Sequence, residues 1–178
     1  MSAPTLVTQR LILRPPERAD IAEHAATWAD PNVVRHIGGT IRDAQDAWFA
    51  ILRARALWDF LGYGYWIIRE RKTETYVGEV GFADFKRGMT PDLSGDPEAG
   101  WVLAKSAWGK GYATEAITAA HDWLDETRPG RSTCIIDPDN AASIKVATKT
   151  GYREIALTDY KGSPVIVFER HSPGTRKD

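Results

Sequence analysis

One cysteine in 178 residues, Cys134, leaves no partner for an intrachain disulfide, and no Cys-x-x-Cys pair or His-Glu-x-x-His string has metal-site spacing. No metal and a reduced compartment are the expectation. Neither sign of charge dominates: 23 basic against 24 acidic residues leave a formal net charge of -1, too little field to hold nucleic acid. No apolar run approaches the ~18 residues of a membrane span. The N-terminus lacks the basic start and apolar core of a secretory leader. A cytoplasmic protein with no membrane or nucleic-acid partner is therefore expected. Internal repeats and low-complexity segments are also missing. Aromatics are plentiful: seven Trp and six Tyr, spread along a chain of one-domain length.

Leu6, Leu11 and Leu13 alternate with polar neighbours, predicting a strand over 5–14 that Pro15-Pro16 closes. A helix follows from Asp20, with Asp30-Pro31 as its stop, then a loop with Gly38-Gly39. Residues 43–60 predict the longest helix, with Ala44, Ala47, Trp48, Ile51, Leu52 and Trp58 on a wide buried face. Residues 65–69 and 76–85 read as a hairpin around Lys72-Thr73-Glu74. A loop over 88–97 leads to a strand from Glu98, a helix from Ala113 and a strand over 132–136. A short helix over 140–150, ended by Gly151, precedes strands over 153–157 and 165–169. The order implies a mixed α/β fold with a single, mostly antiparallel central sheet, one parallel βαβ crossover and helices on both faces. Residues 1–170 form one domain in this reading, and 171–178 a polar tail.

The segment from Glu98 to Ala116 is the most informative. A β-prone run, Trp101, Val102 and Leu103, leads through Trp108, Gly109, Lys110 and Gly111 to a helix opening at Tyr112, Ala113 and Thr114. Free amides at a helix start, with the positive end of the helix dipole, make a cradle for phosphate. It is not a Walker loop, because Lys110 is followed by Gly111 and position 104 is not glycine. A dinucleotide fold comes closer, with Gly109, Gly111 and Asp137 near its fingerprint, but Thr114 replaces the third glycine. Residues 105–108 also separate strand from glycine, and too little chain remains for a parallel sheet.

Trp108-Gly109-Lys110-Gly111-Tyr112-Ala113 followed by Thr-Glu-Ala resembles the coenzyme A signature of the GNAT superfamily of N-acetyltransferases, whose pattern is Gln/Arg-x-x-Gly-x-Gly/Ala. Gly111 and Ala113 match; Trp108 replaces the Gln or Arg. Arg10-Leu11-Ile12-Leu13-Arg14, Trp28-Ala29-Asp30-Pro31, Tyr63-Gly64-Tyr65-Trp66 and Asn140-Ala141-Ala142-Ser143 leading to Lys149-Thr150-Gly151-Tyr152 are similar to the ribosomal-protein-alanine acetyltransferase branch. The resemblance implies a GNAT-like fold over 1–170, acetyl-CoA as cosubstrate and direct acetyl transfer to an amine through a tetrahedral intermediate. The acceptor is a protein N-terminus or a small-molecule amine. A homodimer is compatible with it, and so is a catalytically silent acyl-CoA sensor.

The resemblance also distributes roles. Amides of Trp101, Val102 and Leu103 would hold the pantetheine arm and the thioester oxygen, and the 108–114 cradle the diphosphate. With Trp108 in place of Gln or Arg, backbone amides carry more of that task, and Lys110 offers added charge. Asn140 would bond pantetheine while Ser143 donates a proton to the departing sulfur, with Tyr152 as alternative acid. For the base, Glu98 at the start of the strand is favoured on reach, with Glu79, Asp84 or a water as substitutes. Cys134 with His121 reads as core rather than an acyl-enzyme pair. His24, His36 and His171 have no spaced partners. Trp28, His36, Trp48, Tyr63 and Trp66 are the aromatic residues expected near the acceptor.

Overall fold

The computed structural model describes residues 3–174. Eight strands form one sheet: β1 (Leu6–Val7), β2 (Leu11–Arg14), β3 (Tyr65–Glu70), β4 (Tyr76–Ala83), β5 (Glu98–Leu103), β6 (Arg131–Ile136), β7 (Arg153–Tyr160) and β8 (Ser163–His171). Their spatial order is β1-β2-β3-β4-β5-β6-β8-β7, and every pair is antiparallel except β5–β6. This is the expected mixed architecture with its single parallel crossover. The fully parallel sheet of a dinucleotide fold is excluded by the same pairings.

The first predicted strand is two. Thr8 N–H donates to the Leu11 carbonyl (2.9 Å) and Leu11 N–H to the Thr8 hydroxyl (2.9 Å), turning the chain so that Leu6 opposes Leu13. Both arms alternate, so the pattern ran through the turn unbroken.

Among the described residues five α-helices flank the sheet: α1 (Ile21–Trp28), α2 (Pro31–Val34), α3 (Ala44–Leu61), α4 (Tyr112–Thr127) and α5 (Ala141–Lys149). Asp30-Pro31, read as a stop, also starts α2, because proline suits the first helical position and the Asp30 carboxylate accepts from Asn32 N–H. Asp43 and Asp46 form a capping box at the head of α3, and Gly62 ends it at φ +76°. Its buried face is narrower than expected: Ala47, Ala50, Ile51, Ala54 and Trp58 are covered, whereas Trp48 and Leu52 are exposed.

The core lies between the sheet and α4, whose Ala116, Ile117, Ala120 and Leu124 are buried. Trp58, Trp66 and Trp123 meet there edge to face, with centroids 4.6 to 5.2 Å apart. Each such contact contributes about 0.5–1.5 kcal/mol beyond area burial. On the other side of the sheet, Asp20 is fully buried. It accepts from Arg14 (2.6 and 2.8 Å), Arg69 (2.6 Å) and Glu17 N–H (2.7 Å). Burial alone would raise the Asp20 pKa, and the two guanidiniums outweigh it and hold it below its ordinary value.

His171 is the last residue of β8, and Ser172 exchanges hydrogen bonds with Gly130, so the fold extends into the segment read as a tail; residues 175–178 lie outside the described residues. No helix among the described residues is long and apolar enough to cross a membrane.

Candidate active site

Strand β5 pairs with β4 along its whole length, from Gly78↔Leu103 to Ala83↔Glu98. On its other side the only register partner is Glu98↔Thr133 of β6, with Thr133 N–H on the Pro97 carbonyl (3.0 Å). Beyond that rung the strands part. By strand alternation the Val102 amide points to β4, whereas those of Trp101 and Leu103 turn away from it with no ladder partner, beside a cleft of about 640 Å³.

The floor of the cleft is the cradle. Gly109 and Gly111 sit at φ +74° and +77°, and a Cβ on Gly109 would meet nothing within 4 Å. Gly111 caps α4 without any side-chain bond, so the first amides of the helix stay open at the positive end of its dipole. Trp101, Val102, Leu103, Trp108, Gly109, Gly111, Tyr112, Ala113 and Thr114 all line this space, with Asn140 and Ser143 at its far side.

Two members of the cradle do less than the sequence suggested. The Trp108 indole N–H is already donated to the Leu103 carbonyl (2.9 Å), leaving only its ring face toward the cleft. Lys110 is outside the cleft lining: its carbonyl accepts from Arg10 (2.9 Å) and its ammonium lies 5.9 Å from the Tyr112 ring. The lining contains three cations that sequence reasoning did not assign, Arg35, Lys145 and Lys149. The last two are four apart on α5 and so share a face, a spacing visible in the sequence.

Asn140 is the N-cap of α5, its side-chain oxygen accepting from Ser143 N–H (3.1 Å). Both residues line the cleft. Among the described residues the Ser143 hydroxyl makes no hydrogen bond, so it is free to donate. Tyr152 is excluded as the acid. It is buried behind β6, with its hydroxyl between His121 Nε2 (3.0 Å) and the Ser132 hydroxyl (3.2 Å).

The carboxylates differ in circumstance. By strand alternation Glu79 and Gly81 of β4 share one side of the sheet with Glu98, Gly100 and Val102 of β5. This is the side of α1. Glu98 lies at the rung where β5 and β6 meet, 4% exposed and outside the cleft lining, with three hydrogen bonds from Arg87 (2.6 to 3.0 Å). Burial pushes its pKa up, more than Arg87 pulls it down. Glu79 is enclosed by Trp28 Nε1 (3.0 Å) and His24 Nε2 (3.3 Å), and these partners outweigh burial to keep its pKa low. Asp84 is a loop brace: it binds Lys86 and accepts from Gly95 N–H (3.0 Å), and its pKa is lowered against burial. It is not poised to take a proton.

Tyr65 was not assigned a role by sequence. Its hydroxyl stands over Gly100, where a Cβ would come within 2.3 Å of it. Burial, then Glu79 and Glu98, raise its pKa strongly, so it remains a neutral hydrogen-bond donor beside both carboxylates. Of the aromatic residues expected near the acceptor, Trp28 bonds Glu79 and stacks under Arg42 (3.4 Å), while Trp66 is core and Trp48 is exposed. His36 lines the cleft. Cys134 is buried with its pKa raised by burial, and His121, lowered to about 3 by burial, bonds Tyr152 rather than sulfur. No acyl-enzyme pair exists.

Comparison with known proteins places this geometry in context. The model of the acetyltransferase (GNAT) domain family matches residues 10–153. Protein YkkB of Bacillus subtilis (strain 168) is 32% identical over 177 residues, covering 97% of this chain and 99% of its own. The crystal structure of an acetyltransferase from Agrobacterium tumefaciens str. C58 superposes with a TM-score of 0.81 at 30% identity, covering 96% of each chain. The microcin C7 self-immunity acetyltransferase MccE, solved in complex with acetyl-CoA and AMP, shares the fold at 15% identity, with a TM-score of 0.74 and coverage of 92% and 93%.

Proposed function

This chain belongs to the GNAT acetyltransferase family, and from that premise we propose that it moves an acetyl group from acetyl-CoA to a primary amine. The observation that carries the proposal is the parting of β5 from β6 beyond Glu98↔Thr133, directly beside the open amides of α4. A flexible thioester arm needs a slot with unpaired backbone donors, and its diphosphate needs a helix start without a side-chain cap. Both occur in one cleft, and MccE, of the same fold, was solved with acetyl-CoA.

In the proposed reaction the thioester oxygen lies against the β5 amides, which stabilise negative charge as it develops. Such a donor is worth roughly 10²–10³ in rate. The amine enters from the side of α1, attacks the carbonyl carbon and forms the C–N bond. Glu98, whose raised pKa suits a proton acceptor, takes the amine proton directly or through a water. As the tetrahedral intermediate collapses, the C–S bond breaks; the Ser143 hydroxyl donates a hydrogen bond to the departing thiolate, which takes its proton from solvent, while Glu98 returns to solvent the proton it took from the amine. A protein N-terminus, with an amine pKa near ~7.7–8, is partly neutral already and needs less from Glu98 than a lysine at ~10.4. The acceptor class, an N-terminal α-amine or a small amine, follows the resemblance to the ribosomal-protein-alanine branch; a single domain that reaches Ser172 and a cytoplasmic setting complete the proposal.

The deciding experiment measures free thiol released from acetyl-CoA with a panel of N-terminal peptides and small amines, with mass spectrometry of the products. Thiol release with a new N-acetyl product supports the reading. Binding of acetyl-CoA without turnover on any amine would replace it by an acyl-CoA sensor.

A further inference from the structure

The wall of the cleft opposite the cradle is built from α2 and the turn after it, residues 32–37. It is fixed at one end, where Val33 and Val34 are buried. At the other end it runs into Gly38 and Gly39, at φ +96° and +66°, with open space where a Cβ would stand. Between these ends, among the described residues, one side-chain hydrogen bond joins residues 31–40 to the strand side of the cleft. His36 Nδ1 lies 3.1 Å from Asp137 Oδ2, across 101 positions of sequence. Asp137 directly follows β6, and its other oxygen accepts from Asp139 N–H (2.8 Å), which fixes the carboxylate toward His36.

We propose that His36 and Asp137 clasp the α2 wall across the cleft, His36 acting as a positioning residue that sets the grip on acyl-CoA. The proposal rests on the reading of the cleft as an acyl-CoA site. The pair sits beside Asn140, the residue assigned to the pantetheine arm, so a wall held there narrows the slot over that arm. Losing the bond leaves the wall held at its ends, by buried Val33 and Val34 and by Arg42 N–H on the Trp28 carbonyl (3.2 Å), with no side-chain hydrogen bond across the cleft among the described residues.

Calorimetry with coenzyme A on the full chain tests this with wild type, His36→Ala, His36→Gln, Asp137→Asn and the double variant His36→Ala/Asp137→Asn. His36→Ala should weaken binding about fivefold, with KM for acetyl-CoA rising by more than kcat falls, and His36→Gln, whose amide can still donate to Asp137, should recover part of that loss. The double variant should bind no more weakly than His36→Ala alone, because both changes remove one bond. Should His36→Ala not fold, the near-isosteric His36→Gln and Asp137→Asn carry the result, each weakening binding. If wild type binds coenzyme A and every folded variant binds it equally well, the clasp is wrong and the function stands. If wild type binds no coenzyme A at all, it is the proposed function that falls.

Discussion

Arg10 reaches from the β1–β2 turn to the head of α4, its Nε donating to Glu115 (2.7 Å) and its Nη1 to the Lys110 carbonyl (2.9 Å). Glu115 also accepts from Thr8 Oγ1 (2.6 Å) and Arg10 N–H (2.9 Å). A carboxylate in the first turn suits the helix dipole but opposes a diphosphate at the same place. Arg10 cancels that charge and, through Lys110, aims the loop amides. The Arg10 side chain is 44% exposed, so the pair itself adds little stability. Arg10→Ala is expected to raise Kd for coenzyme A about three- to tenfold while shifting Tm by no more than about 2 °C, measured by calorimetry and thermal melting.

Gly111→Val tests the cradle from the backbone. At φ +77° a β-branched residue is strained, and the loop must refold to accept it. Coenzyme A binding should weaken by at least about tenfold in a folded protein, an effect that fluorescence or calorimetry can follow.

Ser143 and Asn140 separate by kinetics. Ser143→Ala removes the donor to sulfur and leaves the Ser143 N–H bond that caps α5, so kcat is expected to fall about 10²-fold with little change in Tm. Asn140→Ala removes the cap and costs about 1 kcal/mol, seen in a denaturant melt, whereas Asn140→Ser keeps a cap without adding charge. Affinity lost in Asn140→Ser would then report the pantetheine contact.

Glu98 carries a pH signature. As a base it is active when ionised, so kcat/KM should rise with pH through an apparent pKa above the ordinary ~4.3. Arg87→Ala removes the partner that opposes burial and should move this limb to still higher pH; Glu98→Gln should abolish it. Because the folded pKa is raised, this group's contribution to stability is present below ~4.3 and is lost as pH rises through the folded value. An unchanged pH profile in Glu98→Gln would transfer the role elsewhere.

Asp20 works in the opposite direction. Its folded pKa is lowered, so its contribution is present above ~3.9 and is lost as pH falls through the folded value. Asp20→Asn leaves the Arg14 and Arg69 guanidiniums without their shared carboxylate and should cost about 3 kcal/mol at pH 7, the low end for a broken buried pair because both reach water. Urea melts at pH 7 and in acid should show this gap closing as pH drops.

The cradle was legible because its signals are local. Two glycines at spacing two, a β-prone run before them and a helix-prone run after them define strand, elbow and helix within twenty residues. Asn140 and Ser143 were legible for the same reason, as a cap and its third neighbour. What sequence could not supply are pairings whose geometry only the folded loops and the strand register set. Trp108 spends its N–H on Leu103, Arg87 occupies Glu98 across a loop, and Tyr65 faces Gly100 only once β3, β4 and β5 are in register. Asp30-Pro31 misled in a different way, since the dipeptide that ends one helix is also well suited to begin another.

The single rung between Glu98 and Thr133 divides the sheet into two leaves, β1 to β5 and β6 to β8, bound at one edge like a half-open book. In the proposed reaction both leaves contribute to the gutter of such a book: one brings amides and a carboxylate, the other, through the helix that follows β6, the serine that donates to the sulfur. Slight changes in how far the leaves open alter the alignment of these groups in concert, without unfolding either page.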